Sequence, residues 1–258
     1  MKKSLTRVIL SLVLLCSLLF VALPATPAMA ATDTITINKY AADQTTIEDS
    51  ITVTISDLES ALPIQGDGVT HYYTQGPSYY SEDPTDLWNP AETLNVYDKG
   101  ALKGTAVSDL CELLGGAVEG DAIEVLANDG YGEIFQYDDI YNPEPQQGPV
   151  TVCWWKDGVY AGASWDSGML LAFLTTVANA DGQNVFGNQD MQDYLPEGNW
   201  HYWYDGATAY PSVHGLYIKY ISEINIYPQA PEQWTVDVTG IVDMTVDQGW
   251  FENALACH

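Results

Sequence analysis

The chain has 258 residues, with 8 Lys and Arg against 35 Asp and Glu and a formal net charge of −27. Lys2, Lys3 and Arg7 all stand in the first segment; removing those three positive charges takes −27 to −30 and leaves five lysines and no arginine. So negative a surface repels nucleic acid and anionic membranes, and it lacks the planar bidentate donor that phosphate-bearing cofactors usually meet.

In chain order, the start is a short basic stretch, then an almost unbroken apolar run from Val8 to Leu23, then Ala28 and Ala30 in an A-x-A arrangement. This is the pattern of a secretory signal peptide, residues 1–30, cut after Ala30, and it predicts a secreted, extracellular or cell-surface location. The competing reading is an uncleaved anchor, since the apolar run approaches spanning length. Cys16 follows Leu15, not a small residue, which argues against a lipoprotein site. Cys111, Cys153 and Cys257 remain, an odd count that permits at most one intramolecular disulfide. Cys111 would share a helix face with Val107 and Leu114, and it reads, like Cys153, as a buried small hydrophobe.

Abundant Val, Ile, Tyr, Trp and Thr, punctuated by Gly and Pro, predict a mostly β chain of α+β class. Alternation predicts strands over 34–40 and 50–55, followed by a short capped helix over 56–62. Residues 63–93 read as one long polar and aromatic loop. A strand follows over 93–97, then the best helix in the chain, 106–114, capped by Thr105 or Ser108 and ended by Gly115-Gly116. Strands over 123–127 and 134–137 flank a tight turn at Asn128-Asp129-Gly130, with a short helix or turn over 138–141. Residues 150–155 read as a strand, 169–174 as a strand or a buried helix, and 216–227 as two short strands meeting at a bend. The domain is thus expected over 31–227. Residues 228–258 form a linker and tail in which Val242–Leu255 echoes Ile51–Leu62, as the opening of a truncated second domain would. The echo also fits a terminal strand that completes the first domain or a neighbour's, or chance similarity. Such a tail offers a route to self-association.

The run Lys103 to Gly115, then Ile123 to Val125, then Asp129-Gly130-Tyr131, with Phe135 to Ile140 after it and Gly215 to Ile224 farther on, resembles the molybdopterin-binding domain of the sulfite oxidase type. The likeness spans roughly 93–227 and implies that fold. It also implies a molybdenum-ligating cysteine on the strand before the helix, where Val96 stands here, and arginines for the pterin phosphate, of which residues 31–258 have none. Valine cannot coordinate a metal. The expectation is therefore a cofactor-less version of the domain, with no cofactor and molybdopterin absent: an exported, non-catalytic surface or extracellular protein with a binding or assembly role. The alternative is a molybdopterin-dependent oxidoreductase subunit.

Two sets of residues are site candidates. Acidic side chains mixed with Asn and Gly suit calcium, and Asp129, Glu133, Asp138 and Asp139 come nearest to a metal site, against the plainer reading of a solvated acidic surface. Tyr72, Tyr73, Trp88, Trp200 and Trp203 come from two aromatic-rich stretches of the kind that stack on a glycan or meet an extracellular or cell-surface protein. Four scattered histidines, His71, His201, His214 and His258, are open to a metal reading, with core or loop packing the plainer one. No G-x-S-x-G elbow supports serine hydrolase chemistry.

Overall fold

The computed structural model describes residues 33–78, 87–162 and 168–229 with their side chains, and 235–238 and 244–247 as backbone. The expected signal peptide 1–30, Tyr79 and Tyr80 of the long loop, Cys257 and most of the tail lie outside the described residues.

β1 (Thr34–Tyr40) and β2 (Ile47–Thr54) form an antiparallel pair with Ile35 opposite Val53 and Ile37 opposite Ile51. Alternation sends Ile35 and Ile37 wholly inside. β2 starts earlier than its apolar alternation indicates, because pairing with β1 extends the strand through the exposed Ile47, Glu48 and Asp49. α1 (Ile55–Ala61) starts on a capping box: Asp57 N donates to Thr54 Oγ1 at 3.2 Å, and Thr54 N donates to Asp57 Oδ2 at 2.9 Å.

The stretch expected to be one long loop instead contains β3 (His71–Gln75), whose Tyr72, Thr74 and Gln75 are buried. The next strand is longer and later than the run 93–97: β4 spans Val96–Ala106 through two glycines. Gly100 sits at φ +92, where an L side chain would be strained. The expected helix is α2 (Val107–Cys111), which tightens into a 3-10 turn at Glu112–Leu114 and stops at Gly115, φ +82. Neither Thr105 nor Ser108 caps it; the N-cap is Ala106, with no side-chain bond.

β5 (Ala122–Ala127), β6 (Gly132–Gln136) and α3 (Tyr137–Tyr141) follow as the alternation indicates. Then come β7 (Val150–Lys156), β8 (Val159–Tyr160), β9 (Leu170–Phe173), which settles that run as a strand, and β10 (Asn184–Phe186). α4 (Asn188–Tyr194) leads to β11 (Tyr202–Asp205) and β12 (Thr208–Pro211). Of the two strands expected over 216–227, the first is a 3-10 turn, Val213–Leu216, and the second is β13 (Ile221–Tyr227), with Tyr220 at φ 56 making the bend. β14 (Thr235–Val238) and β15 (Met244–Asp247) pair antiparallel.

The fold is mostly β with mixed sheets. One sheet has the order β2-β1-β13-β5-β6, parallel between β1 and β13. Across its middle a polar ladder fixes the register: Ser50 Oγ donates to Asn38 Oδ1, Asn38 Nδ2 to Asn225 Oδ1, and Asn225 Nδ2 to Glu124 Oε2, at 2.7, 2.9 and 2.8 Å. The other sheet runs β10-β3-β4-β7-β8, with β9 also on β7. Its backbone is β4, which pairs with β3 over its first half and with β7 over its second. One contiguous core joins the sheets, with Phe135 edge-on to Phe173 at 6.2 Å and Phe173 stacked on Phe186 at 4.1 Å.

Candidate functional site

The ribbon β11–β12 and the turn before it gather most of the aromatic candidates. The 3-10 turn Glu197–Asn199 delivers Trp200, whose Nε1 donates to Leu195 O at 3.0 Å. Trp88 meets Trp200 edge-to-face at 5.3 Å and Tyr202 at 6.1 Å. Trp203 lies across from Tyr210 in the ribbon, their rings 6.1 Å apart. Tyr202, Trp203 and Tyr204 keep 38%, 43% and 65% of their surface in solvent, too much for core packing to account for them. Tyr72 and Tyr73 are not part of this group. Both lie on β3, where Tyr72 is a core residue and Tyr73 accepts from the Tyr217 hydroxyl through its carbonyl at 3.3 Å.

Under the aromatic turn, His201 Nε2 and Glu133 Oε1 are 2.6 Å apart, and Asn199 Nδ2 donates to Glu133 Oε2 at 3.3 Å and to Ile134 O at 2.9 Å. The His201 ring lies where a β-carbon on residue 215 would have to go, so Gly215 is needed there. This pair ties β6 to the segment carrying Trp200 and Tyr202. It is a positioning contact for the aromatic face.

The four carboxylates expected as metal ligands are divided among separate tasks. Asp129 accepts from Tyr131 N at 2.9 Å within the β5–β6 turn. Glu133 is committed to His201 and Asn199. Asp138 accepts from Asn142 Nδ2 at 2.8 Å, and Asp139 accepts from Gln136 N at 2.8 Å, capping α3. Burial holds the Asp139 carboxyl up at about 6. Asp138 and Asp139 border an open groove of about 540 Å³ that Asp193, Glu144 and Asn142 also line. Among the described residues, no group of three or more His, Cys, Asp or Glu is placed to hold a metal ion.

Val96, where the resemblance would place a ligating cysteine, is the first residue of β4 and pairs with Gln75. Burial pushes the Cys111 thiol up to about 12 and the Cys153 thiol higher still, as for buried small hydrophobes. They stand on α2 and β7 as core residues.

Neither the protein-family models nor the curated proteins searched include a match to this chain.

Tyr202, part of the same aromatic-rich stretch as Trp200 and Trp203, completes the cluster with Trp88 and Trp200. The His201–Glu133 pair spans 68 positions and has no local signal.

Proposed function

We propose that this is an exported protein, secreted or held at the cell surface, that binds a neutral extracellular glycan without catalysis. Its domain would be a sulfite-oxidase-like molybdopterin fold that does without the cofactor. The observation that carries the reading is the exposed ring set of Tyr202, Trp203 and Tyr204 beside the Trp88–Trp200 pair. Flat rings presented by a ribbon give sugar faces a stacking surface, and neighbouring carboxylates and amides supply hydrogen-bond partners. The charge of the chain disfavours an acidic polymer at that surface. A glycan array probed with the exported chain tests this: retention on one class of neutral glycan is expected. Retention on no glycan, or only on a protein partner, would overturn the choice of ligand. Molybdenum or tungsten near one atom per chain in the purified protein would overturn the cofactor-less reading.

A further inference from the structure

β1, β2 and α1 act as one unit. At the open end of the hairpin its strands face each other in four rungs: Thr34 opposite Thr54, Ile35 opposite Val53, Thr36 opposite Thr52 and Ile37 opposite Ile51. Polar and apolar rungs alternate, and the apolar ones supply Ile35, Ile37 and Val53 to the core.

The pair β14–β15 repeats this order rung by rung. Thr235 stands opposite Asp247, Val236 opposite Val246, Asp237 opposite Thr245 and Val238 opposite Met244. A slip of one residue would set apolar positions against polar ones, so the agreement is one of register as well as composition. The register also aligns the sequences beyond the strands. With Val246 placed on Val53, residues 244–255 follow 51–62 without a gap. Thr52, Val53, Glu59, Ala61 and Leu62 then recur as Thr245, Val246, Glu252, Ala254 and Leu255. Thr54, the N-cap of α1, has Asp247 as its counterpart, an equally suitable N-cap. The core residue Leu58 has Phe251. Two positions depart: Gln248 takes the place of Ile55, and Trp250 that of Asp57, the acidic half of the capping box. The connection between the strands is also shorter, 239–243 against 38–50.

Such a unit needs a partner. β1 is an inner strand, held on one side by β2 and on the other, in parallel, by β13 from the far end of the domain. A two-stranded ribbon gains little from its own pairing in water. β1 already occupies that edge of β13, and β14–β15 is a sheet of two among the described residues. We propose that residues 235–255 are a second β1–β2–α1 unit, the opening of another domain of this fold, and that the partner it takes is a parallel strand of the β13 kind, apolar at alternate positions as in Ile224-Asn225-Ile226. A structural unit that recurs along one chain is the mark of a repeated domain. The proposal uses no residue of the aromatic face and is independent of the glycan reading.

Transplanting the second unit into the place of the first, in the full chain, tests it. Residues 34–37 are replaced by the sequence of 235–238, and 51–62 by that of 244–255, with 38–50 kept. A control carries the same inserted residues in scrambled order. The transplanted chain is expected to melt in one cooperative transition, below the parent temperature because Met and Gln fill the places of Ile51 and Ile55. The scrambled control is expected to show no such transition. A transplanted chain that behaves as the control does would overturn the proposal. Deleting residues 235–258 tests the competing role, a terminal strand that completes the first domain. The shortened chain is expected to melt within about 2 °C of the parent. A larger fall would place these residues in the first domain and overturn the proposal.

Discussion

The ribbons β5–β6 and β11–β12 are both antiparallel pairs closed by a short turn with a left-handed glycine, Gly130 at φ +86 and Gly206 at φ +58. In β5–β6 every second residue goes inside: Ile123, Val125 and Phe135 are wholly buried, and the ribbon belongs to a five-stranded sheet. In β11–β12 the aromatic residues stay in solvent and the pair stands as a sheet of two. A two-stranded ribbon gains little from its own pairing in water. The first ribbon is therefore held by the core, and the second by contacts at its base, where Trp88 meets Trp200 and Tyr202 and where Ser212 N donates to His201 O at 2.9 Å. Apolar area that is buried stabilises the fold, and apolar area left on a rigid ribbon is available to a ligand.

The comparison breaks most visibly if the first ribbon is cut. Phe135→Ala empties a fully buried site against Phe173 and should cost about 3–5 kcal/mol, read as a large drop in the denaturant midpoint. A cost below about 1 kcal/mol would mean that β5–β6 is not held as described.

Acidity sharpens the contrast between buried and exposed groups. Glu92 is buried at the start of α4, where Asp190 N donates to its Oε1 at 3.0 Å. Burial, and then the charge of Asp190, hold its carboxyl well above the usual carboxylate range; burial raises Asp190 as well. In the unfolded chain both titrate near pH 4. The protonated forms are favoured in the folded state, so this stability is complete below pH about 4 and declines as pH rises through the folded values. Glu92→Gln keeps an acceptor for Asp190 N and removes the titration. Thermal melts from pH 5 to 9 should fall less steeply for the variant, by on the order of 2 kcal/mol across the window. Parallel curves would contradict the assignment. The exposed Asp43 and Asp67 behave oppositely: hydrogen bonds from Thr46 and Thr45, and from Thr70 and Val69, hold them down at about 2.

Salt should act on the exposed charge. Molar sodium chloride is expected to raise the melting temperature by several degrees, about 1–2 kcal/mol. Because Asp129, Glu133, Asp138 and Asp139 are bound to separate partners, calcium should do no more than a magnesium salt of equal ionic strength. A calcium-specific rise at millimolar concentration would show that these carboxylates regroup around the ion.

Legibility in the sequence followed the same divide. β1, β5 and β6 were readable because one face of each is buried, and burial writes a period of two into Ile35-Thr36-Ile37 and Ile123-Glu124-Val125. α1 was readable as a short capped helix over 56–62, and the capping box that starts it is Thr54 with Asp57. β3 and the second half of β4 were hidden by Gly66, Gly68, Gly76, Gly100 and Gly104, which look like loop punctuation; Gly66 and Gly104 instead serve a close approach of backbones, where a β-carbon on Gly104 would meet Cys153 Cα at 2.8 Å. α4 was missed because Asn188-Gln189-Asp190-Met191 is polar, its buried Asn188 spending its amide on Gly76 O and Ser78 Oγ at 2.9 and 2.7 Å. The aromatic residues were legible as a composition, but their sorting into the β3 core and the β11–β12 face depended on topology.

The smallest effect on stability is expected where the effect on binding is largest. Trp203→Ala with Tyr204→Ala should change folding stability by no more than about 1 kcal/mol, since the two residues keep 43% and 65% of their surface in solvent. The measurement that tests the central claim most directly is retention of this double variant and of the parent on the same neutral glycan. The account predicts that the parent is retained and that the variant, equally folded by its melting curve, is not. A variant retained as strongly as the parent would contradict it.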